Sequence, residues 1–182
     1  MSDFSDFFPA AGGGGLTPKF QEFNTAGTFT PTQALIDAGG YVEIFLVAGG
    51  GRSNSGGFGA SGGETFLKRM YLNSTTGCAV IIGAGGSTQG GSGGNSSFAG
   101  SSAGGVDLSA IGGNGTDVMT NNILSASWGA NAGGSAANGI FGYGAGGVGS
   151  APGIKLPKAN SGQGTWYDNP GGSGYCLIKW FE

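Results

Sequence analysis

The residues with the clearest potential for chemistry are the glycines that end an apolar run, YVEIFLVAGGG, at 41–51. A strand that stops on a glycine turn is how nucleotide-binding domains present backbone N–H groups to a phosphate. Such a site needs a helix directly after the glycines, but RSNSGGFGASGGE follows, in which no helix can start. A P-loop is also excluded, because no lysine lies between Lys19 and Lys68. We expect neither nucleotide binding nor another cofactor.

Other catalytic patterns lack their usual members. The chain has no histidine, so the common triads, metal sites and acid–base pairs miss a component. Carboxylates at Asp107, Asp117 and Asp168 could in principle cleave a glycoside, yet each stands alone in loop-like sequence and fits a turn or a solvated position. The segment PGGSGY is not the GxSxG turn of a hydrolase. We predict that the protein is not an enzyme and has no catalytic or metal-binding residues.

Aromatic residues in the glycine-rich half are candidates for binding. Five stand in the short islands SASWGAN, GIFGYG and GTWYDNP: Trp128, Phe141, Tyr143, Trp166 and Tyr167. Rings held on a rigid scaffold can stack on a sugar or anchor a protein receptor. The alternative is that these rings fill the core or an axis between identical chains. Of the five, we expect Trp166 and Tyr167 to be exposed, since they lie between Gly164 and Pro170.

The composition excludes several classes of partner. The 182 residues include 44 glycines, seven Lys and Arg, and ten Asp and Glu, for a net charge of −3. Without a basic cluster there is no electrostatic footprint for nucleic acid or for an anionic membrane surface. No run approaches the ~20 apolar residues of a transmembrane helix, and the acidic N-terminus is unlike a signal peptide. We expect assembly in a cytosol, with Cys78 and Cys176 as buried thiols rather than a disulfide.

Strand patterns lie on both sides of the glycine-rich part. Runs rich in Val, Ile, Phe, Tyr and Thr are bounded by Gly, Ser and Asn clusters: FNTAGTFT, YVEIFLVA, TFLKRMYL, CAVII and the final GYCLIKWFE. The segment ALIDAGG predicts one helical turn ending at Gly39. We predict an all-β fold, a small β-sandwich with its strands within 23–82 and 173–182 and a large glycine-rich insertion over 83–172.

The insertion needs a source of order other than its own side chains. Residues 83–172 contain 27 glycines and 17 large apolar side chains, too few to offset the conformational entropy lost on ordering ninety residues. The glycines recur in pairs and triplets, in neither a collagen nor a solenoid register. Either the insertion is disordered, or its backbones bond to one another as in polyglycine II, with identical chains adding burial around a symmetry axis.

The first 22 residues have the composition of a separate arm. Ahead of a glycine hinge at 12–15 lie four residues suited to insertion into a groove: Phe4, Phe7, Phe8 and Pro9. Short apolar segments of this kind dock on partner proteins. We therefore predict a docking arm over 1–22 with a Gly hinge, which the resemblance below makes an attachment arm, and a glycine-rich β domain over 23–182. The alternative is an N-terminus that frays.

The order of these pieces resembles the glycine-rich domain of bacteriophage tail fibres and tail-tip adhesins. The series over 23–182 is FNTAGTFT, YVEIFLVAGGG, GGETFLKRMYL, CAVIIGAGG, GGNSSF, IGGNG, YGAGGVG and GSGYCLIKWFE. The resemblance implies a structural virion protein, often a homotrimer, with its glycine-rich part at or near a receptor-binding end. The chain differs from that pattern in being short, with no long shaft or coiled coil.

On this resemblance the protein would be a compact tip, located in the virion after assembly in the host cytoplasm. Its arm would join other tail or fibre proteins, and its receptor would be a host-surface glycan or outer-membrane protein. One alternative is a capsid or tail decoration or assembly protein that binds no receptor. A glycan-cleaving tail enzyme lacks an acid pair, and an ice-binding glycine bundle would need a regular glycine at every third residue.

Overall fold

The computed structural model describes residues 15–53, 60–115, 159–165 and 169–182. The elements are β1 (Pro18–Phe23), β2 (Gly27–Phe29), α1 (Gln33–Asp37), β3 (Tyr41–Val47), β4 (Thr65–Tyr71), β5 (Cys78–Ile81), β6 (Ser96–Ala99), a 3₁₀ turn (Gly100–Ala103), β7 (Asp107–Ala110) and β8 (Tyr175–Phe181). The strands form two four-stranded antiparallel sheets, ordered β1-β8-β3-β4 and β2-β5-β6-β7. The predicted all-β class is confirmed.

Strands β3 and β8 form the middle of the first sheet. Every second residue of β3 points inward, and the register pairs Ile44 with Ile178 and Leu46 with Cys176. All four side chains are fully buried. The β-branched and aromatic residues of both strands suit this doubly flanked position, which is why the sequence predicts them well.

The two sheets share one core. Phe29 on β2 and Phe98 on β6 are at most 1% exposed and belong to the same buried cluster as Ile44 of the first sheet. The Phe29 ring also lies 5.3 Å from the Trp180 ring on β8, at 68°, an edge-to-face geometry that aromatic pairs favour. Apolar burial between the sheets therefore fixes their mutual position.

Helix α1 connects β2 to β3 and is tied to the end of β8. Thr32 caps it, with Oγ1 accepting from Leu35 N at 3.0 Å, and Gly39 follows with φ 103°, as the predicted helical turn requires. The same Thr32 hydroxyl donates to Glu182 Oε2, and Trp180 Nε1 donates to that oxygen at 3.1 Å. These two hydrogen bonds hold the pKa of the Glu182 carboxyl below its ordinary value.

Two boundaries differ from the sequence prediction. Residues 18–22, assigned to the arm, belong to β1, whose register with β8 runs to Phe23 opposite Cys176. Only the last of its six residues is buried, so this edge strand has no apolar alternation to reveal it. Strands β6 and β7 lie inside 83–172, and at four residues each they are too short to show a period.

Candidate functional site

Seven short glycine-rich segments continue from the strands and bond to one another. We call them the glycine bundle. The central segment, 49–52, follows β3, and six ring segments bond to it: 60–64, 83–86, 91–94, 111–115, 162–165 and 171–174. The segments come from both ends of the glycine-rich half and from the loop between β3 and β4.

The central segment donates hydrogen bonds with a three-residue repeat. The bonds are Gly49 N to Gly94 O (3.0 Å), Gly50 N to Gly172 O (2.9 Å), Gly51 N to Ser61 O (3.0 Å) and Arg52 N to Gly91 O (2.9 Å). Gly49 and Arg52, three residues apart, therefore reach the same ring segment, 91–94. A direction that recurs at every third residue is the geometry of a polyproline II helix, which forms no hydrogen bonds within itself.

The carbonyl groups of the central segment accept from the other three ring segments. The bonds are Gly113 N to Gly49 O (2.8 Å), Gly86 N to Gly50 O (2.8 Å) and Thr165 N to Gly51 O (3.1 Å). Donors and acceptors together connect the central segment to all six neighbours. Three consecutive residues thus satisfy both their N–H and C=O groups without a side chain.

The ring segments also bond to each other in a closed circle. Six of these bonds, one for each neighbouring pair, are Ser61 N to Asn114 O (3.0 Å), Gly93 N to Gly113 O (2.8 Å), Gly94 N to Ala84 O (2.8 Å), Gly171 N to Gly86 O (3.0 Å), Gly172 N to Gln163 O (2.8 Å) and Ala60 N to Thr165 O (2.8 Å). Around the ring, segments that accept from the centre alternate with segments that donate to it. The bundle is held by its backbone.

Close approach, and not an unusual backbone conformation, explains the glycines of the central segment. None of the three residues Gly49, Gly50 and Gly51 has a positive φ. A Cβ on Gly50 would nevertheless lie 2.6 Å from Gly164 N, and one on Gly51 would lie 2.6 Å from the Asn114 carbonyl carbon. Real Cβ atoms do not approach backbone so closely, so only glycine fits at these positions.

The ring has an exposed flank, where side chains take the place of glycines. Gly83, Gly86 and Gly113 are buried, whereas the exposed ring positions carry side chains: Ala84, Ser92, Ile111 and Asn114. In segment 111–115 the exposed residues Ile111 and Asn114 are again three apart. Because these side chains occupy the space in which another backbone would have to lie, they end the lateral bonding on this flank of the bundle.

Polar side chains connect the bundle to the sheets and close its far end. Ser96 on β6 is fully buried. Its hydroxyl donates to Val47 O at 2.7 Å and accepts from Gly83 N at 2.9 Å. At the end away from the sheets, Arg52 Nη1 donates to the Ser87 carbonyl. These contacts fix where the segments begin and where they turn.

The candidate receptor-binding residues lie outside the described residues: Trp128, Phe141, Tyr143, Trp166 and Tyr167. The same holds for the attachment residues Phe4, Phe7, Phe8 and Pro9, and for Asp117 and Asp168. The residues on either side of 166–168 are described, and Thr165 Oγ1 donates to Asn169 O at 2.6 Å. The connection that contains Trp166 and Tyr167 therefore leaves from Thr165 and returns at Asn169. These two residues are hydrogen-bonded to each other at the end of the bundle away from the sheets.

The N–H groups that first suggested a phosphate site are engaged within the protein. Each of the four residues from Gly49 to Arg52 donates to a carbonyl of a ring segment. Binding a phosphate there would require breaking these bonds. The geometry makes the glycines part of a scaffold.

The described carboxylates and thiols have structural surroundings. Asp107 begins β7 and accepts from Ser101 N (3.0 Å) and Ser101 Oγ (2.8 Å), which lowers the pKa of its carboxyl. Cys78 and Cys176 are free and buried, as predicted. Burial raises the pKa of both thiols, that of Cys176 to about 12. Among the described residues no group of three or more His, Cys, Asp or Glu could hold a metal ion.

No protein-family model matches the chain, and no curated protein matches it. In the part of the chain that the structure describes, no helix has both the length and the apolar character needed to cross a membrane.

Sequence reasoning missed the role of the central segment. It placed polyglycine-like order in 83–172, whereas the segment that bonds to all the others lies at 49–52 and follows β3. The available signal is the three-residue spacing of side chains among glycines, as in IGGNG at 111–115. That spacing indicates a polyproline II helix with one exposed edge.

Proposed function

We propose that this chain is a structural protein of a bacteriophage virion, a tail-fibre or tail-tip component. It attaches through its N-terminal arm and presents the far end of the glycine bundle toward a host-cell receptor. The series of motifs that resembles the tail-fibre domain suggests this role. The observation that carries it is the placement of the two ends of the molecule.

The root of the arm and the tip of the bundle lie at opposite ends of the described structure. Strand β8 starts at Tyr175, directly after the bundle, and ends at Phe181. There Thr17 N donates to Glu182 O (2.7 Å) and Glu182 N to Thr17 O (3.1 Å). With ~3.3 Å per strand residue and ~3.1 Å per polyproline II residue, roughly 35 Å separate the two ends. A molecule of this shape can be held at one end and make contact at the other.

The bundle suits the presenting end because its central segment is ordered by backbone hydrogen bonds. Each central residue has its N–H and C=O bonded to a neighbouring segment. The side chains of the connections at the far end of the bundle are therefore not needed to hold the central segment and can serve recognition, as in loops on rigid scaffolds. Trp166 and Tyr167 belong to one such connection.

Three finer features belong to the same proposal. The shared core suggests that the two sheets form a β-sandwich. The three-residue repeat and six-neighbour bonding suggest that the glycine-rich segments form a polyglycine II insertion in that sandwich. Three copies assembling around an axis would match the homotrimers that the resemblance implies.

Locating the chain in assembled particles tests the attachment. Antibodies against residues 1–14 and against residues 166–168 are applied to intact particles and viewed by electron microscopy. We expect the bundle tip to be accessible and the arm to be covered. Particles in which 1–22 are exposed and 98–170 are buried against other virion proteins would refute the receptor-facing role and favour a decoration or assembly protein.

Adsorption tests the receptor contact. Particles carrying Trp166→Ala together with Tyr167→Ala should adsorb to host cells more slowly, with the melting temperature of the isolated protein unchanged. Ile81→Ala, at a 53% exposed position on β5, is the matched control and should adsorb normally. Undiminished adsorption of the double variant would remove both residues from the site.

A further inference from the structure

One face of the first sheet carries a row of exposed aromatic side chains. The register pairs Pro18 with Phe181 and Tyr41 with Tyr71. Extending the β3 and β8 register by one residue places Tyr41 beside Phe181, so one row crosses all four strands at the end away from the bundle. Tyr71 is 67% exposed and Phe181 43%. The rings of Tyr41 and Tyr71 meet edge to face, with centroids 5.3 Å apart.

The next row on this face combines one more ring with charges. Phe20, 69% exposed, lies opposite Lys179, and Glu43 lies between Lys179 and Arg69. Arg69 Nε contacts Glu43 Oε2 at 2.9 Å, and the arginine is the outer partner, 68% exposed against 26%. We call the two rows together the aromatic face.

Charge on the aromatic face is positive at its surface. In the pair of Arg69 with Glu43, the cation is the more exposed partner, 68% against 26%. Lys179 is exposed as well. The face thus presents cations in a chain whose net charge is −3. Exposed rings and cations on one face are complementary to a ligand that is both apolar and acidic.

The size of the aromatic face favours a peptide over a second copy. Two rows across four strands measure roughly 14 Å by 7 Å, well below the ~800 Å² that each partner of a stable protein interface buries. Two such faces would also bring cations against cations. A short extended segment with aromatic and acidic side chains is small enough for this area and has the charge opposite to that of the face.

We propose that the N-terminal segment of this chain, residues 1–14, docks on the aromatic face of the same molecule. Its sequence, MSDFSDFFPAAGGG, contains three phenylalanines for the rings and two aspartates for Arg69 and Lys179. No other stretch of the chain combines these residues so closely. The docked segment shelters rings that the sheet leaves exposed.

The length and origin of the segment allow this contact. Thr17 is held at the corner of the face by its two hydrogen bonds to Glu182, next to Pro18 in the aromatic row. The glycines at 12–15 can extend to about 14 Å, which equals the width of the sheet. The phenylalanines then reach Tyr71 on the far strand. A short tether of this kind gives a local concentration on the order of millimolar, so the contact forms within one molecule.

This contact goes beyond the proposed function and does not depend on it. In a virion the partner that takes up the arm would displace it from the aromatic face. The location of the chain in particles and the docking of residues 1–14 are measured separately, so either proposal can fail alone.

Fluorotyrosine NMR on the full chain tests the proposal. The Tyr71 signal is assigned with Tyr71→Phe, and its broadening by a soluble paramagnetic agent reports exposure. We expect broadening to increase in the triple variant Phe4→Ala, Phe7→Ala, Phe8→Ala and to stay unchanged in the control Ser2→Ala, Ser5→Ala. Asp3→Lys with Asp6→Lys should also increase broadening, because the cations of the face would then repel the segment.

Hydrogen exchange supplies the reciprocal measurement. Amides of residues 3–8 should be protected in the wild type and lose that protection in Tyr71→Ala with Phe20→Ala, with a melting temperature showing that the sheet is intact. Equal Tyr71 broadening in the wild type and the triple variant would overturn the proposal. Protection that disappears on dilution would assign the contact to a second copy and overturn it as well.

Discussion

Substitution of Gly50 by alanine tests whether the glycine bundle holds the molecule together. Gly50 lies at the centre of the bundle, bonded through N to Gly172 O (2.9 Å) and through O to Gly86 N (2.8 Å). The new Cβ would lie 2.6 Å from Gly164 N and closer still to the Gln163 carbonyl. Both contacts are with backbone, which cannot rotate away. Segment 162–165 must therefore shift.

The cost of that shift follows from the bonds it disturbs. Overpacking a rigid site costs about 1–3 kcal/mol. Moving segment 162–165 also stretches the bond from Gly172 N to Gln163 O (2.8 Å), and each buried backbone group left without a partner costs about 1–3 kcal/mol. We expect a loss of roughly 3–6 kcal/mol, a large part of the ~5–15 kcal/mol that stabilises a typical domain.

Thermal and urea denaturation of Gly50→Ala measure this loss. At about 2–4 °C per kcal/mol for a chain of this size, the melting temperature should fall by roughly 6–24 °C. Gly15→Ala is the matched control because a Cβ there meets nothing within 4 Å, and its stability should stay within about 0.5 kcal/mol of the wild type. A Gly50→Ala protein as stable as that control would show that the bundle does not hold the fold together.

Three further outcomes follow from the described contacts. Ser96→Ala leaves the buried Gly83 N without the hydroxyl to which it donates, so urea denaturation should show a loss of about 1–3 kcal/mol. The Thr32 hydroxyl helps to lower the folded-state pKa of Glu182. This carboxylate should therefore stabilise the fold above its ordinary pKa, with the contribution lost as the pH falls through the depressed value. Glu182→Gln should remove that part of the acid dependence in melting experiments. Cys78 and Cys176 should react with a thiol reagent at pH 8 only as fast as the protein unfolds, because burial raises the pKa of both; rapid reaction of the folded protein would contradict the buried geometry.

The strands were predictable where side chains carry the information. Strand β3 reads YVEIFLV, and its last four residues are all apolar and buried. Composition and alternation therefore predict both that it is a strand and where it lies in the chain. Strand β1 reads PKFQEF and buries only Phe23. Its position is set by backbone pairing with β8, which leaves no pattern in the sequence.

Close approach of the glycine backbones was predictable, but the partners of each segment were not. Paired glycines indicate that backbones approach closely, and that expectation led to polyglycine-like order. A hydrogen bond between two glycines is the same whichever segments supply them. The sequence around Gly50 therefore does not say that Gly172 and Gly86 are its partners, and the closed ring could be found only in the structure.

The way the central segment is bonded also bears on how the chain folds. Gly50 donates to Gly172, about 120 residues later, and loops of that length form late because contacts distant in sequence slow folding. During synthesis residues 49–52 leave the ribosome long before residues 171–174 and β8. The same C-terminal stretch then fills the last place in the ring and pairs with both β1 and β3. Synthesis of residues 171–181 is thus the step that allows the sheet and the bundle to form together, and a chain stopped before these residues would retain a central segment with unpaired backbone groups.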